Sequence, residues 1–90
     1  MLSVRISSRF KKSLKRLSRS GSFDQKKLGE IIDTLSCEEK LDRTYKDHSL
    51  TGSMTDYREC HVEFDLLLIY KIESNNLVLV NIGSHSDLFG

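Results

Sequence analysis

Apolar residues recur at two different spacings along this chain, and each spacing predicts a different secondary structure. Residues 2–6 alternate between apolar and polar side chains, which predicts a short strand. Residues 7–19 carry apolar side chains three or four positions apart, so we expect a helix over these residues. A second helical stripe follows Ser20-Gly21-Ser22, and its apolar positions are Leu28, Ile31, Ile32 and Leu35. Ser22 and Gln25 are spaced as in a capping box, which predicts that the second helix starts at Ser22.

The second half of the chain predicts strands. Residues 37–55 show neither spacing and are predicted to be a loop with local turns. Residues 57–62 alternate, so that one face of this strand would be polar and chemically reactive. The apolar run within residues 65–73 is typical of a central strand, Ser74-Asn75-Asn76 predicts a hairpin turn, and residues 77–82 return as the last strand. The order β-α-α-β-β-β predicts an α+β fold with two helices packed on one face of an antiparallel sheet.

Length and composition limit the class of protein. Ninety residues form a single domain, which we place at residues 1–90, and the 38% apolar content without proline fits a compact fold. No apolar run reaches the length of a membrane span, and the first residues lack the apolar stretch of a signal peptide. We therefore expect a cytoplasmic protein that does not contact the membrane, with two cysteines present as free thiols.

Positive charge is concentrated at one end of the chain, although the formal net charge is only +1. Seven basic residues precede Asp24, the first acidic residue: Arg5, Arg9, Lys11, Lys12, Lys15, Arg16 and Arg19. Such a one-sided basic helix can neutralise the phosphates of a nucleic acid. It is equally compatible with a solvated helix face or with a surface that meets an acidic protein partner.

Three histidines in the second half of the chain each lie close to a carboxylate in the sequence. They occur in Asp47-His48-Ser49-Leu50-Thr51-Gly52, in Arg58-Glu59-Cys60-His61-Val62-Glu63-Phe64-Asp65 and in Gly83-Ser84-His85-Ser86-Asp87-Leu88-Phe89-Gly90. Histidine changes its charge near neutral pH, so histidines beside carboxylates indicate proton-transfer chemistry. Together with the basic helix, which favours a polyanionic substrate, they predict a ribonuclease.

These motifs, in this order and with a Leu-Leu-x-Tyr strand between the second and the third, resemble the RelE-type toxins, specifically their YafQ-like branch. This group comprises mRNA-cleaving toxins of bacterial type II toxin–antitoxin modules, and the resemblance covers nearly the whole chain. It implies a microbial-ribonuclease-like domain that cleaves mRNA in the ribosomal A site, in contact with 16S rRNA. It also implies a cognate antitoxin that wraps the toxin and neutralises it.

The resemblance assigns the catalytic positions. They would be His48, His61, Asp65, His85 and Phe89. The residues expected to contact RNA are those of the basic helix and two others: Arg9, Lys11, Lys12, Lys15, Arg16, Arg58 and Asn81. Asn81 stands where the family usually has an arginine, which would supply a permanent charge for the scissile phosphate. We expect the missing arginine either to weaken catalysis or to leave stabilisation of the phosphate to the histidines or to Arg58. Strand alternation, however, turns the Arg58 side chain away from His61.

The expected chemistry needs neither a metal ion nor another cofactor. RNA carries its own nucleophile, the 2′-hydroxyl, so the enzyme supplies a base, an acid and a positive charge near the phosphate. His85 is expected to be the general acid, and either His48 or His61 the base, with the other one binding phosphate. Asp65 would orient an imidazole, and Phe89 would stack on a base or close the site. The products would carry a 2′,3′-cyclic phosphate and a 5′-hydroxyl.

Other readings of these residues remain open. His48, His61, His85 and Asp65 form a competent set of zinc ligands, although none has a partner at a usual short-range metal spacing. A toxin weakened at position 81 would instead bind the ribosome or the antitoxin with little cleavage. Cys60-His61 resembles a nucleophile–base pair, but neighbours on a strand point to opposite faces, so we expect Cys60 in the core.

Overall fold

The computed structural model describes residues 1–21, 23–52 and 56–90, and this part of the chain contains five strands and three α-helices. In chain order they are β1 (Ser3–Ile6), α1 (Ser8–Ser20), α2 (Gln25–Ser36), β2 (His48–Ser49), β3 (Arg58–Glu63), β4 (Leu66–Glu73), β5 (Asn76–Gly83) and α3 (His85–Phe89). A 3-10 turn, Arg43–Tyr45, leads into β2. No helix within the described residues is long and apolar enough to cross a membrane.

The strands form one sheet in the order β1-β5-β4-β3-β2. The strands β2 to β5 pair antiparallel with their neighbours, while β1 pairs parallel to β5. The predicted α+β fold is confirmed, and the prediction that the sheet is antiparallel is wrong at β1 alone among the described strands. β1 differs because its neighbour, β5, is the last strand: two helices and three strands lie between them, and such a long crossover lets the two strands run in the same direction.

Polar side chains cap the starts of the two long helices. The Ser7 side chain accepts a hydrogen bond from the Phe10 backbone N–H, so Ser7 is the cap of α1 rather than its first residue. The Asp24 carboxylate accepts a hydrogen bond from the Lys27 backbone N–H and caps α2 in the same way. The predicted cap, Ser22, lies outside the described residues, and its assignment to the start of α2 is corrected to Asp24.

The spacing of apolar residues does not predict two short elements, β2 and α3. β2 has only two residues and depends on its pairing with β3, which sets His48 opposite Glu59. Pairing between distant segments leaves no periodic pattern in a sequence. α3 is capped by Ser84, whose hydroxyl accepts from the Asp87 backbone N–H while the Asp87 carboxylate accepts from the Ser84 backbone N–H. The spacing Ser-x-x-Asp is the signal that would have predicted this helix.

A tight turn joins β4 to β5. Ser74 and Asn75 both have positive φ angles, 48° and 65°, which is the left-handed conformation that a two-residue hairpin turn favours. The predicted turn is confirmed, although Asn76 already belongs to β5. Such a short connection fixes the pairing of the two strands next to it.

β4 is the centre of the core because both of its faces are buried. Leu66, Leu68 and Tyr70 belong to the apolar cluster that the long helices cover. The helices contribute Phe10, Leu28, Ile31 and Leu35 to this cluster. Leu67 and Ile69, on the opposite face of the strand, are only 0% and 4% exposed. The predictions of a buried central strand and of two helices on one face are therefore confirmed.

Cys60 lies in the same core, as strand alternation predicts. Burial raises the pKa of its thiol to about 12, so the thiol stays protonated at neutral pH. Cys37 is exposed, and both cysteines are free. The reading of Cys60-His61 as a nucleophile–base pair is therefore excluded.

Replacing Phe10 with alanine is expected to lower the free energy of unfolding by about 3–5 kcal/mol, because the removal of a ring that is 2% exposed leaves a cavity. Urea unfolding followed by circular dichroism measures this change. Phe64→Ala is the matched control, since that ring is 97% exposed and its removal should change the unfolding free energy by less than about 0.5 kcal/mol. Equal losses in the two variants would contradict the placement of Phe10 in the core.

Candidate active site

The polar face predicted for β3 lies beside the buried residues of β4. Glu59 stands opposite Ile69, and His61 stands opposite Leu67. Residues directly opposite each other share one face of a sheet, and this face is the one turned away from Cys60. Two polar side chains therefore stand next to a buried apolar stripe, on the side opposite to the helix-covered core.

Glu59 lies between two histidines. Its carboxylate oxygen Oε1 is 3.5 Å from Nε2 of His48 and 3.9 Å from Nε2 of His61. Glu59 is only 5% exposed, so its carboxyl group lies beside both imidazoles at a place that water screens weakly. Glu59 is a residue of the site that the sequence did not predict. The signal in the sequence was that Glu59 lies two residues before His61, on the same face of one strand. The pairing of β2 with β3 then sets His48 opposite Glu59.

A backbone carbonyl determines which ring nitrogen of His48 carries the hydrogen. The Lys46 carbonyl oxygen lies 2.7 Å from Nδ1 of His48. Because a carbonyl oxygen only accepts hydrogen bonds, Nδ1 carries the hydrogen, and in the neutral ring Nε2 has the free lone pair. Lys46 has a φ of 52°, and this left-handed conformation ends the 3-10 turn just before His48. The arrangement leaves Nε2 able to take up a proton beside Glu59.

Asp65 and His85 form a second pair of carboxylate and imidazole. Asp65 lies in the turn between β3 and β4, and His85 is the first residue of α3. The His85 backbone N–H donates to Oδ1 of Asp65 at 3.1 Å, and the ring nitrogen Nδ1 lies at the same distance from that oxygen. With Nδ1 directed at the carboxylate, Nε2 of His85 is the nitrogen left to exchange a proton with a substrate.

The same contacts keep Asp65 ionised. Hydrogen bonds from the His85 backbone N–H, and then from its ring, lower the pKa of Asp65 below its ordinary value. A lowered pKa in the folded state means that the contact contributes stability above the ordinary carboxyl pKa and loses it as the pH falls through the lowered value. The carboxylate is therefore charged throughout the neutral range.

The rings of His61, His85 and Phe89 lie next to each other. The ring centroids of His61 and His85 are 6.0 Å apart, and those of His85 and Phe89 are 6.4 Å apart. Glu59 connects His48 to this group through His61. The structure thus brings together all five residues that the sequence predicts to be catalytic, from β2, the β3–β4 hairpin and α3.

Arg58 is bound to the two residues that flank His48 in the chain. Its Nε donates to Oδ1 of Asp47 at 3.2 Å, and its Nη1 donates to Oγ of Ser49 at 2.9 Å. The Tyr70 hydroxyl donates to the same Asp47 oxygen at 2.6 Å. Burial, and then this carboxylate, raise the pKa of Tyr70, so the hydroxyl remains a donor. The network holds the residues on both sides of His48, and the structure does not bring Arg58 to the candidate site.

Asn81 is used within the fold. Its Oδ1 accepts hydrogen bonds from Oγ of Ser13 at 2.8 Å and from the Ile82 backbone N–H at 2.9 Å. Ser13 is on α1, so this amide links β5 to that helix. In the sheet, Asn81 pairs with Ile69 beside an irregularity in the register of β4 and β5, and Ile69 in turn pairs with Glu59. The side chain is therefore two strands away from the carboxylate that holds the histidines.

The basic side chains of α1 are exposed, and they are Arg9, Lys11, Lys12, Lys15, Arg16 and Arg19. Nη2 of Arg16 lies 3.8 Å from Oδ2 of Asp87 on α3. The basic surface of α1 therefore extends to the helix that begins with His85. This continuity would let a single polyanion contact α1 and the histidines together.

The predicted alternative of a zinc site does not fit the geometry of the described residues. Within that part of the chain, no three histidine, cysteine, aspartate or glutamate side chains are placed to hold one metal ion. The proposed ligands are instead divided between two carboxylates, with His48 and His61 at Glu59 and His85 at Asp65. Such pairs suit proton transfer better than tetrahedral coordination.

Comparison with known proteins identifies the family. The family described as "Bacterial toxin of type II toxin-antitoxin system, YafQ" matches residues 2–90 of this chain. The chain belongs to the YafQ family of bacterial toxins. The predicted resemblance to YafQ-like toxins of type II modules is therefore confirmed, over almost the whole sequence.

Several toxins of known sequence or structure match the chain over nearly its full length. The mRNA interferase toxin YafQ of Escherichia coli (strain B / BL21-DE3) is 36% identical over 88 residues, which are 97% of this chain and 95% of that protein. A metal-bound toxin from Helicobacter pylori has a TM-score of 0.92 at 46% identity, covering 99% of this chain and 100% of that one. YafQ in the E. coli DinJ-YafQ complex has a TM-score of 0.87 at 35% identity, with 100% of both chains covered. The predicted endoribonuclease agrees with the name of the E. coli toxin.

The neutral ring of His48 is expected to carry its hydrogen on Nδ1, because the Lys46 carbonyl accepts at that position. NMR of the ring nitrogens in alkaline buffer distinguishes the two tautomers, and a His48→Gln variant identifies which resonances belong to this ring. A neutral His48 with its hydrogen on Nε2 would contradict the geometry described for this YafQ-family toxin.

Proposed function

We propose that this toxin is a metal-free endoribonuclease that cleaves mRNA, with the 2′-hydroxyl of the RNA as the nucleophile. The observation that carries the proposal is the pairing of three imidazoles with two carboxylates at one place on the sheet. Such pairs provide both a base and an acid. Each positioned proton transfer contributes roughly two to four powers of ten in rate, so the two transfers together account for substantial catalysis.

His48 is the general base in this proposal. Its Nδ1 is hydrogen-bonded to the Lys46 carbonyl, so Nε2 is free to take the proton of the 2′-hydroxyl. Glu59 stands next to Nε2 and stabilises the positive charge that forms on the ring. His61 lacks a carbonyl contact of this kind among the hydrogen bonds of the described residues, which favours His48 for this role.

His85 is the general acid. The Asp65 carboxylate holds its Nδ1, so the protonated ring presents Nε2–H to the 5′-oxygen that leaves. His61 lies between the base and the acid and has Glu59 beside it, and in protonated form it provides positive charge for the phosphate. Attack by the 2′-oxygen yields a 2′,3′-cyclic phosphate, and proton transfer from His85 yields a 5′-hydroxyl.

A second candidate function is binding with little cleavage. The observation that favours it is that, in the part of the chain that the structure describes, two candidates for phosphate contact are engaged elsewhere: position 81 is an asparagine bound to Ser13, and Arg58 is bound to Asp47. A site that relies on histidine for positive charge loses this stabilisation when the histidine is neutral, whereas arginine is always charged. Primer extension on translated mRNA separates the two functions, because only the first one produces cleaved ends.

The partners of this toxin are inferred from its basic helix α1 and from a solved relative. We infer that the substrate is mRNA on the ribosome, in the cytoplasm, and that exposed basic residues of α1 contact the phosphates of 16S rRNA. The E. coli relative is solved in a complex with the antitoxin DinJ. By analogy, a cognate antitoxin binds this toxin and neutralises it.

His85→Ala is expected to lower the rate of mRNA cleavage by roughly two to four powers of ten and to abolish growth arrest, because the leaving oxygen loses its proton donor. Primer extension and growth after induction measure the two effects, and circular dichroism checks that the variant is folded. Ser86→Ala is the matched control on the same helix and should retain activity. Because the proposed chemistry uses no metal ion, cleavage by the wild-type toxin should also persist in EDTA. Full cleavage by folded His85→Ala would exclude His85 as the general acid.

Reversing Lys11, Lys12 and Lys15 to glutamate should weaken binding to ribosomes and flatten its dependence on salt, because fewer counterions are released from phosphates. The slope of log affinity against log salt concentration should decrease by roughly one for each contact that is lost. Reversal of the exposed lysines Lys26 and Lys40, which lie outside α1, is the control. If both sets gave the same slope as wild type, α1 would not contact rRNA.

A further inference from the structure

The cavity beside the histidines extends beyond the residues that the proposed chemistry uses. It has a volume of about 440 Å³, and its wall includes His61, Asp65 and His85. The rest of its wall comes from other elements, and these residues include Lys27, Tyr45, Lys46, Glu63 and Phe64. A cavity of this size is sufficient for a small ligand or for one unit of a longer chain.

We propose that this cavity is a subsite for the nucleotide on the 3′ side of the scissile phosphate, with its base stacked on Phe64 and its next phosphate held by Lys46 and Lys27. The proposal rests on the proposed function, since it takes an RNA chain as the substrate. It adds the residues that bind the leaving part of that chain, and it assigns a direction to the RNA across the site.

The direction follows from which histidines line the cavity. The 2′-hydroxyl that attacks belongs to the nucleotide on the 5′ side, so that nucleotide lies next to the base, His48. The oxygen that leaves belongs to the nucleotide on the 3′ side, so that nucleotide lies next to the acid, His85. The cavity wall contains His85 and His61, whereas His48 is not part of it. The cavity is therefore on the side of the leaving nucleotide.

Phe64 has the properties of a stacking surface. It lies in the turn between β3 and β4 and is almost completely exposed, so its ring has little packing within the protein. The next residue, Asp65, is hydrogen-bonded to His85, which anchors the turn against α3. Every nucleobase has a flat face that can stack on such a ring, whatever its identity. An exposed ring on an anchored turn, one residue from the candidate site, is suited to hold a base.

The charged residues of the cavity orient the nucleotide within it. Lys27 and Lys46 provide positive charge for a phosphate, and Nζ of Lys27 lies 5.9 Å from the centroid of the Tyr45 ring, which helps to hold the ammonium group in place. Glu63 lies in the wall next to Phe64 and repels phosphate. The base therefore lies towards Phe64 and Glu63, and the backbone lies towards the lysines.

The test uses an RNA that binds but is not cleaved, because the attacking nucleotide carries a 2′-deoxyribose and so lacks the nucleophilic 2′-hydroxyl. Fluorescence anisotropy at low salt measures its affinity for the full-length toxin. Phe64→Ala should weaken binding roughly five- to hundredfold, as for the loss of one stacked base. The same substitution should not change the affinity for an RNA whose 3′-side nucleotide lacks its base. It should weaken binding to the full extent when the 5′-side nucleotide lacks its base. Lys27→Gln should weaken binding in all three RNAs.

Ile72→Ala is the matched control, because Ile72 is also an exposed apolar residue but lies towards the other end of β4. It should leave all three affinities unchanged. The proposal is overturned if wild type does not bind the RNA, if Phe64→Ala leaves binding unchanged, or if its effect is equal in the two abasic RNAs. An effect that disappears only with the 5′-side abasic RNA would reverse the direction and overturn it as well.

The outcome for the subsite is independent of the outcome for catalysis. If Phe64 couples to the 3′-side base but the matching all-ribose RNA and translated mRNA are not cleaved, the subsite stands and the proposed function fails. If cleavage is lost in His85→Ala but Phe64 shows no coupling to that base, the proposed function stands and the subsite fails.

Discussion

The burial of β4 on both faces is the constraint on which the rest of this structure depends. A strand that is apolar on both faces is fixed in the middle of the sheet by packing on each side. Its apolar pattern alone, however, specifies only weakly which face turns towards the helices. Tyr70 supplies the distinction, because its ring packs in the helix-covered cluster, where its hydroxyl donates a hydrogen bond to Asp47. The tight turn after Glu73 then sets the pairing with β5. With β4 in place, the positions of Glu59 and His61 on β3 follow from the register.

The two carboxylates of the candidate site differ in their environments. Glu59 is buried against β4 and serves two rings, whereas Asp65 is exposed at a turn and serves one ring through two hydrogen bonds. The second pair also depends on Gly83, since a Cβ at that position would lie 2.9 Å from the Cβ of Asp87. The absence of a side chain there lets α3 pack closely over the end of β5, which brings His85 to Asp65. Glu59 is thus shielded from water, whereas Asp65 and His85 are open to solvent.

Much of the fold was accessible from the pattern of apolar residues. The helices α1 and α2, the strands β3 to β5 and the turn at Ser74 and Asn75 each leave a local signal, either a period of buried side chains or a turn composition. β2 leaves none, because two residues are too few for a period and only the partner strand holds them. The parallel direction of β1 is likewise a property of the crossover and not of the strand itself. Element boundaries differ from the predictions mainly where polar caps, rather than apolar spacing, decide them.

For the candidate site, the sequence by itself determined which reactive side chains the chain carries, and the family resemblance grouped His48, His61, Asp65 and His85. The tertiary structure alone added Glu59 to this group and showed that Arg58 and Asn81 are engaged elsewhere. The physical reason is that these contacts depend on the register between strands and on the position of one backbone carbonyl. Hydrogen bonds are decided within a few tenths of an ångström, between groups that lie far apart in the chain, and no spacing along a sequence encodes that distance.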